Sequence, residues 1–292
     1  MTLAELIERT AARFAAASLC YGHGTDKPRD EAAWLVLRGL GLPFNADLGA
    51  EATDVQRIER LAGRRIAERI PVAYLLKEAW LAGQPFHVDE RVIVPRSHIA
   101  ELLAGLRRRA AKRVLDLCTG CGCLAILAAR AFPAAQVDAI DLSPGAIAVA
   151  RKNVARHRLG RRVHLQRSDL FDGVRGTRYD LILSNPPYVS AAAMASLPAE
   201  YRHEPRLALT GGADGLDLVA RILAQAPDHL EPGGLLLCEV GDGRAAVQRR
   251  WRALKLAWPK AEVFSVERDA LASAANKDGA ARARSTPARA KR

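Results

Sequence analysis

The chain has 292 residues, about half of them hydrophobic and a quarter charged. That is a globular composition with ample length for a buried core, and it excludes a wholly disordered, collagenous or fibrous chain. The formal charge of +12 and the pI near 10 point to polyanionic surroundings, nucleic acid first, without saying that nucleic acid is the substrate.

The elements begin with helices. Leu3, Ile7, Ala11, Phe14 and Ala15 recur at helical spacing. Glu5, Glu8, Arg9 and Arg13 interrupt the same stretch, so it does not read as a signal peptide. A second helix is predicted from Pro28-Arg29-Asp30-Glu31, where a proline and acidic residues suit a helix N-terminus. It carries Trp34, Leu35 and Leu37 and stops at Gly39 and Gly41-Leu42-Pro43. A third runs from about Ala52 to Arg69. Ala79-Trp80-Leu81 and Phe86-His87-Val88, around Gly83-Gln84-Pro85, read as a β-hairpin.

Strands and helices then alternate. Val114–Leu117, Gln136–Asp141, Val163–Leu165, Tyr179–Ser184 and Gly234–Val240 are predicted strands. Leu124–Ala131, Pro144–His157 and Leu216–Leu230 are predicted helices. Apolar strands alternating with helices imply an α/β fold with a parallel sheet covered on both faces. The expected organisation is a helical domain over residues 1–75, a hairpin linker over 76–95, an α/β domain over 96–272 and a tail over 273–292. The tail holds Lys277, Arg282, Arg284, Arg289, Lys291 and Arg292 against Asp278 alone, with almost no large apolar residue, and reads as disordered.

The five cysteines are odd in number, and Cys118, Cys121 and Cys123 are too close together for a disulfide framework. Reduced thiols in a cytoplasmic protein fit them best. No second cysteine pair exists to complete a zinc site, so no metal is expected.

Two loops carry chemistry. Asp116-Leu117-Cys118-Thr119-Gly120-Cys121-Gly122 follows the first strand of the α/β domain and opens a helix, the position at which glycines let a backbone approach a nucleotide-like ligand. Gly120-x-Gly122-x-x-Ala125 fits a dinucleotide fingerprint. Asp116, however, would repel a pyrophosphate and suits a cationic group such as the amino group of S-adenosylmethionine. Asp141, ending the second strand, suits ribose hydroxyls in either reading. Asp169, with Leu170 after it, offers a carboxylate to an adenine amino group, or else caps a turn.

The second loop is Ser184-Asn185-Pro186-Pro187-Tyr188, after the fourth strand. Its two prolines stiffen it and favour an extended Asn185. The side-chain carbonyl of Asn185 and the backbone carbonyl of Pro186 can then accept the two hydrogens of one planar –NH2 group, and Tyr188 can stack on its plane.

The combination of Asp116-x-x-x-Gly120-x-Gly122, Asp141 and Asn185-Pro186-Pro187-Tyr188 resembles class I methyltransferases that act on planar nitrogen. Val94-Pro95-Arg96-Ser97-His98-Ile99-Ala100-Glu101, Glu200-Tyr201-Arg202-His203-Glu204-Pro205 and Gly215-Leu216-Asp217-Leu218 narrow the resemblance, over roughly residues 1–245, to the protein-glutamine methyltransferases of the HemK/PrmB group. The chain is most similar to the branch acting on a glutamine of large-subunit ribosomal protein L-three. The release-factor branch typically shows Pro-Arg-Pro-Glu where this chain has Pro95-Arg96-Ser97-His98, and Gly in place of Cys118.

The resemblance implies a Rossmann-like sheet, S-adenosylmethionine as cofactor and a helical N-terminal domain that recognises the protein substrate. Asn185, Pro186 and Tyr188 would be catalytic, and Asn185 to Tyr188, Pro187 included, would bind substrate. Asp116, Thr119, Gly120, Gly122, Asp141, Asp169, Leu170 and Asn185 would hold the cofactor. A ribosomal protein is the implied partner, with ribosomal RNA near the basic surface.

Three alternatives stand beside this reading. The Asn-Pro-Pro-Tyr motif alone is shared with DNA adenine methyltransferases, and the release-factor branch is close. A non-catalytic ribosome-binding module is the third, and the intact Asn185–Tyr188 loop and Asp141 oppose it. The pair His203 and Glu204 suggests acid–base work, although ordering the loop beside Pro205 would suffice. Three departures from the family pattern stand out: Cys121 in the glycine loop, Gly241-Asp242-Gly243 in place of Gly-Asn-Ser, and a C-terminal strand pair with one strand lost or shortened around Trp258-Pro259-Lys260.

Overall fold

A computed structural model describes residues 1–106 and 110–273. The chain forms two compact units. The first is Met1–Arg96 with Ser196–Arg206, and the second is Ser97–Ala195 with Leu207 onward. Residues 196–206, which the sequence leaves inside the α/β domain, therefore belong to the helical unit. The tail beyond residue 273 lies outside the described residues.

In the first unit, α1 (Leu3–Ala16), α2 (Pro28–Gly39), α3 (Val55–Glu68) and α4 (Val72–Leu76) precede a hairpin of β1 (Glu78–Leu81) and β2 (Gln84–His87). Thr2 and Glu5 form a capping box at the start of α1, each side chain bonding the other's backbone N–H. Leu6, Ile7, Phe14, Leu35, Ile58 and Phe86 are fully buried. The short α4 was not foreseen, because Pro71 and the αL residue Lys77 confine it to five residues, too few for a periodic signal.

Buried charge ties Ser196–Arg206 to the helices. The Arg65 guanidinium, 1% exposed, donates to Glu31 Oε1 at 2.5 Å, to Glu200 Oε1 at 3.1 Å and to the Cys20 carbonyl at 2.8 Å. Glu204 accepts two guanidinium bonds from Arg96 and the backbone N–H of Val94. That is a bidentate pair with a third donor, which satisfies a buried carboxylate. His23 is buried beside Glu204 and against the Tyr201 ring; burial pushes its pKa down to about 4, so it is neutral at pH 7.

The second unit is built on a seven-stranded sheet. After α5 (Ile99–Leu102) come β3 (Arg113–Leu117), α6 (Cys123–Ala131), β4 (Gln136–Asp141), α7 (Pro144–Arg156), β5 (Val163–Arg167) and β6 (Tyr179–Ser184). Then follow α8 (Ala191–Ser196), α9 (Asp217–His229), β7 (Leu230–Glu239), α10 (Arg244–Arg250), β8 (Ala257–Lys260) and β9 (Val263–Glu267). The strand order is β5-β4-β3-β6-β7-β9-β8. Strands β3 to β7 run parallel to their neighbours, and β9 and β8 are antiparallel. This is the Rossmann-like α/β sheet that the resemblance implies, with a mixed rather than wholly parallel edge. The C-terminal strand pair is present, so neither strand is lost, and one is shortened, as the sequence allowed. Only β8 is short, and its pairing with β9 is irregular between Ala257 and Lys260.

Helix α6 is apolar all round and buried at every position except Arg130, as a helix covered on more than one side must be. The order of strands reverses between β3 and β6. In such sheets that switch point opens a crevice at the carboxyl ends of the strands, where ligands bind. Both loops singled out above leave the sheet there. Among the described residues, no helix is long and apolar enough to cross a membrane.

Candidate active site

Leu117 and Ser184 are register partners in the parallel pair β3–β6. The Ser184 hydroxyl donates to the Leu117 carbonyl at 3.2 Å. The pairing fixes the roots of the glycine loop and the Asn185 loop side by side.

In the glycine loop, Asp116 is wholly buried. Its Oδ2 accepts from the Thr119 hydroxyl at 2.5 Å and from the Ala125 N–H at 3.0 Å. Its Oδ1 is buried with no hydrogen-bond partner among the described residues. Burial pushes the carboxyl up to about 7, against the lowering effect of those two bonds. A buried carboxylate oxygen left unpaired is costly and calls for a donor or cation.

The loop itself is held by backbone. Thr119 N–H reaches the Ile140 carbonyl, and Gly120 N–H donates to Asp141 Oδ2 at 2.9 Å. Gly122 has φ +83°, and a Cβ there would lie 3.2 Å from Ala150 Cβ of α7. Glycine therefore answers both the left-handed backbone and the close helix. The buried Asn153 side chain donates to the Cys121 carbonyl at 2.8 Å and fastens the loop to α7 from beneath. Cys118 also has positive φ, at 59°, a conformation that glycine adopts without strain and cysteine does not.

Asp141 stands half-buried at the end of β4. It accepts from the N–H groups of Gly120 and Ser143, and burial raises its pKa. Asp169 does not make the side-chain cap that its position suggested. Its Oδ2 instead accepts from Arg221 at 2.9 Å, an exposed pair worth little to stability. Leu170 is buried and opens the 3-10 turn Leu170–Val174.

The second loop is clasped from two directions. Val189 N–H bonds the Leu209 carbonyl and Gly211 N–H returns to the Val189 carbonyl, each at 2.9 Å. On the other side Gly241, φ +51°, backs the Tyr188 ring: a Cβ there would lie 2.7 Å from Tyr188 Cε2. Pro186 and Pro187 are buried, and Asn185 and Tyr188 are half-buried.

His203 and Glu204 are not an acid–base pair. His203 Nε2 lies 2.9 Å from the Glu68 carbonyl, and both Glu204 oxygens are taken by Arg96. Their work is loop ordering. Cys121 and Cys123 are buried thiols, and among the described residues no group of His, Cys, Asp and Glu is placed to hold a metal ion.

The Methyltransferase small domain model matches residues 99–200. The ribosomal protein uL3 glutamine methyltransferase of Bordetella pertussis is 50% identical over 268 residues, which cover 88% of this chain and 90% of the relative. The chain belongs to the ribosomal protein uL3 glutamine methyltransferase family. The Bradyrhizobium diazoefficiens member is 49% identical over 88% of this chain and 86% of its own. Among solved structures, a methyltransferase from Pyrococcus furiosus is similar over 73% of this chain and 96% of its own, with 20% identity and a TM-score of 0.48.

In this uL3 glutamine methyltransferase family member, sequence reasoning missed Glu239. It is 3% exposed at the carboxyl end of β7, one residue beyond Cys238, the register partner of Ser184. Its Oε2 accepts from the Ser97 hydroxyl at 2.5 Å and from the His98 N–H at 3.1 Å. The signal was available: like Asp116 and Asp141, Glu239 is a carboxylate at or next to the carboxyl end of an apolar strand. Ser97 also gains meaning, because the proline found there in the release-factor branch has no hydroxyl to donate.

Proposed function

We propose that the chain methylates the side-chain amide nitrogen of a glutamine in ribosomal protein uL3, with S-adenosylmethionine as the donor. The observation that carries the reading is the Leu117–Ser184 pairing, which sets an unpaired buried carboxylate oxygen and the Asn-Pro-Pro-Tyr loop at one crevice of the sheet.

The residues present fit this cofactor. Asp116 Oδ1 lacks a partner that an ammonium group would provide. Asp141 would meet the ribose hydroxyls, and Asp169 with Leu170 the adenine, Asp169 sharing its carboxylate with Arg221. Thr119, Gly120 and Gly122 shape the backbone that the cofactor lies against, and Asn185 borders it. When bound, the cofactor supplies an electrophilic methyl on a sulfonium.

The chain's own work is positioning. An amide nitrogen is a poor nucleophile because its lone pair is delocalised. The Asn185 side-chain carbonyl and the Pro186 backbone carbonyl would accept its two hydrogens. These acceptors aim the nitrogen and support the positive charge that develops there. Pro187 stiffens the loop, and Tyr188, backed by Gly241, holds the amide plane. The motif brings no strong general base, and none is needed if the proton leaves late to solvent.

The helical unit would recognise the protein substrate. The reaction belongs in the cytoplasm, and the basic surface suits a substrate met near ribosomal RNA. The test is to incubate the purified chain with labelled S-adenosylmethionine and, in parallel, uL3, a release factor and adenine-containing DNA. Label in uL3 alone supports the reading; label in either other substrate but not in uL3 contradicts it.

A further inference from the structure

The helical unit contains a cavity of about 360 Å³ whose lining includes Thr25, Asp30, Trp34, Phe44 and Trp80. Three of the seven lining residues are aromatic, in a chain with only 5% aromatic residues. Phe44 and Trp80 meet edge to face with centroids 5.2 Å apart. Gly24 also lines it, with a Cβ position only 3.2 Å from the six-membered ring of Trp34.

Three observations say what fits. Phe44 is 48% exposed, an aromatic side chain left in water at the mouth of a built cavity. Asp30 is the one charged residue of the lining and makes no ion pair among the described residues. The ring faces already attract a cation: the Arg38 guanidinium lies 5.9 Å from the centroids of both Phe44 and Trp80. Arg38 adds no net charge there, because Glu78 accepts two of its hydrogen bonds. The one lining side-chain charge without an ion pair among the described residues is therefore negative, in the first turn of α2, on a protein whose total is +12.

We infer that this cavity takes a lysine or arginine side chain of the protein substrate, its stem against Trp34, Phe44 and Trp80 and its charged head at Asp30. Such a contact combines cation–π attraction with an ion pair and anchors the substrate away from the reacting amide. It rests on the reading of the chain as a uL3 glutamine methyltransferase and names the chemistry by which the helical unit recognises its substrate.

The test uses full-length chain with uL3 as substrate and the variants Phe44→Ala, Asp30→Asn and Asp30→Lys. Phe44 and Asp30 are both exposed, so none of these changes empties the core. The expected result is a KM for uL3 raised about tenfold in Phe44→Ala and Asp30→Asn and further in Asp30→Lys. Turnover at saturation and calorimetric affinity for S-adenosylmethionine stay at wild-type values. An unchanged KM in both Asp30 variants overturns the inference, and so does a rise confined to Phe44→Ala, which would mean an apolar occupant. In either case the wild-type chain still methylates uL3. Loss of methylation by the wild type would instead remove the functional reading, and this inference with it.

Discussion

Gly241 and Tyr188 are in contact through the absence of a side chain. The left-handed Gly241 opens the 3-10 turn Gly241–Gly243 after β7, and the Tyr188 ring occupies the space that its Cβ would need. A neighbouring strand end thus backs the aromatic of the acceptor loop. Gly241→Ala should push the ring aside and strain the backbone by about 1 kcal/mol. We expect turnover to fall at least about tenfold with cofactor affinity unchanged. Steady-state kinetics beside calorimetry would show it, and wild-type turnover in this variant would mean that the ring position is unimportant.

Asn185→Ala removes one of the two proposed acceptors. Loss of a preorganised polar group that acts on developing charge costs about 10²–10³ in turnover. Single-turnover methylation assays should show a loss of that size. Binding of S-adenosylmethionine should weaken little, since Asp116, Asp141 and the loop backbone remain.

Asp116 carries the pH dependence. Its carboxyl is pushed up to about 7 from an ordinary 3.8 by burial. The folded chain without ligand therefore holds more protons than the unfolded chain between these values. Its stability should decline as pH rises through that window, with the full cost of the buried charge reached above about 7. A cationic ligand reverses the preference, so affinity for S-adenosylmethionine should increase as pH rises towards and past 7. Asp116→Asn should abolish both trends. Urea unfolding and calorimetry at several pH values would check them, and an equally pH-dependent Asn variant would refute the assignment.

Arg65 is the keystone of the helical unit, since two buried carboxylates and a backbone carbonyl share it. Burial already pushes the Glu31 pKa up against the lowering influence of Arg65. Arg65→Ala would leave Glu31 with only the Thr25 hydroxyl, and Glu200 with the Cys20 N–H and the looser Arg69 contact at 3.6 Å, a change that destabilises by about 3 kcal/mol. The urea midpoint should drop accordingly. A midpoint near that of wild type would show that water replaces the guanidinium at little cost.

The strands and long helices were legible because their signals are local. Val114–Leu117 and Tyr179–Ser184 are apolar runs ended by loop residues, and Pro28 and Pro144 mark helix starts. The two loops at the switch point were legible for the same reason. What the sequence hid depends on distant partners. Nothing near Glu204 says that Arg96 will occupy it, and nothing near Asp169 says that Arg221 will. Glu200 and Glu204 lie between two strands of the sheet in sequence yet pack with helices near the N-terminus, since buried carboxylates follow the guanidinium groups that neutralise them. The antiparallel edge was hidden too, because Trp258-Pro259-Lys260 is too short to announce a strand without β9 beside it.

The two loops joined at Leu117 and Ser184 would together transfer a methyl to a glutamine amide. Fragmentation mass spectrometry of uL3, after reaction with the wild-type chain and with Asn185→Ala, tests it most directly. We expect one added methyl on the side-chain nitrogen of a glutamine, present with the wild type and nearly absent with the variant. A methyl on a lysine, arginine or backbone nitrogen, or equal modification by both proteins, would contradict it.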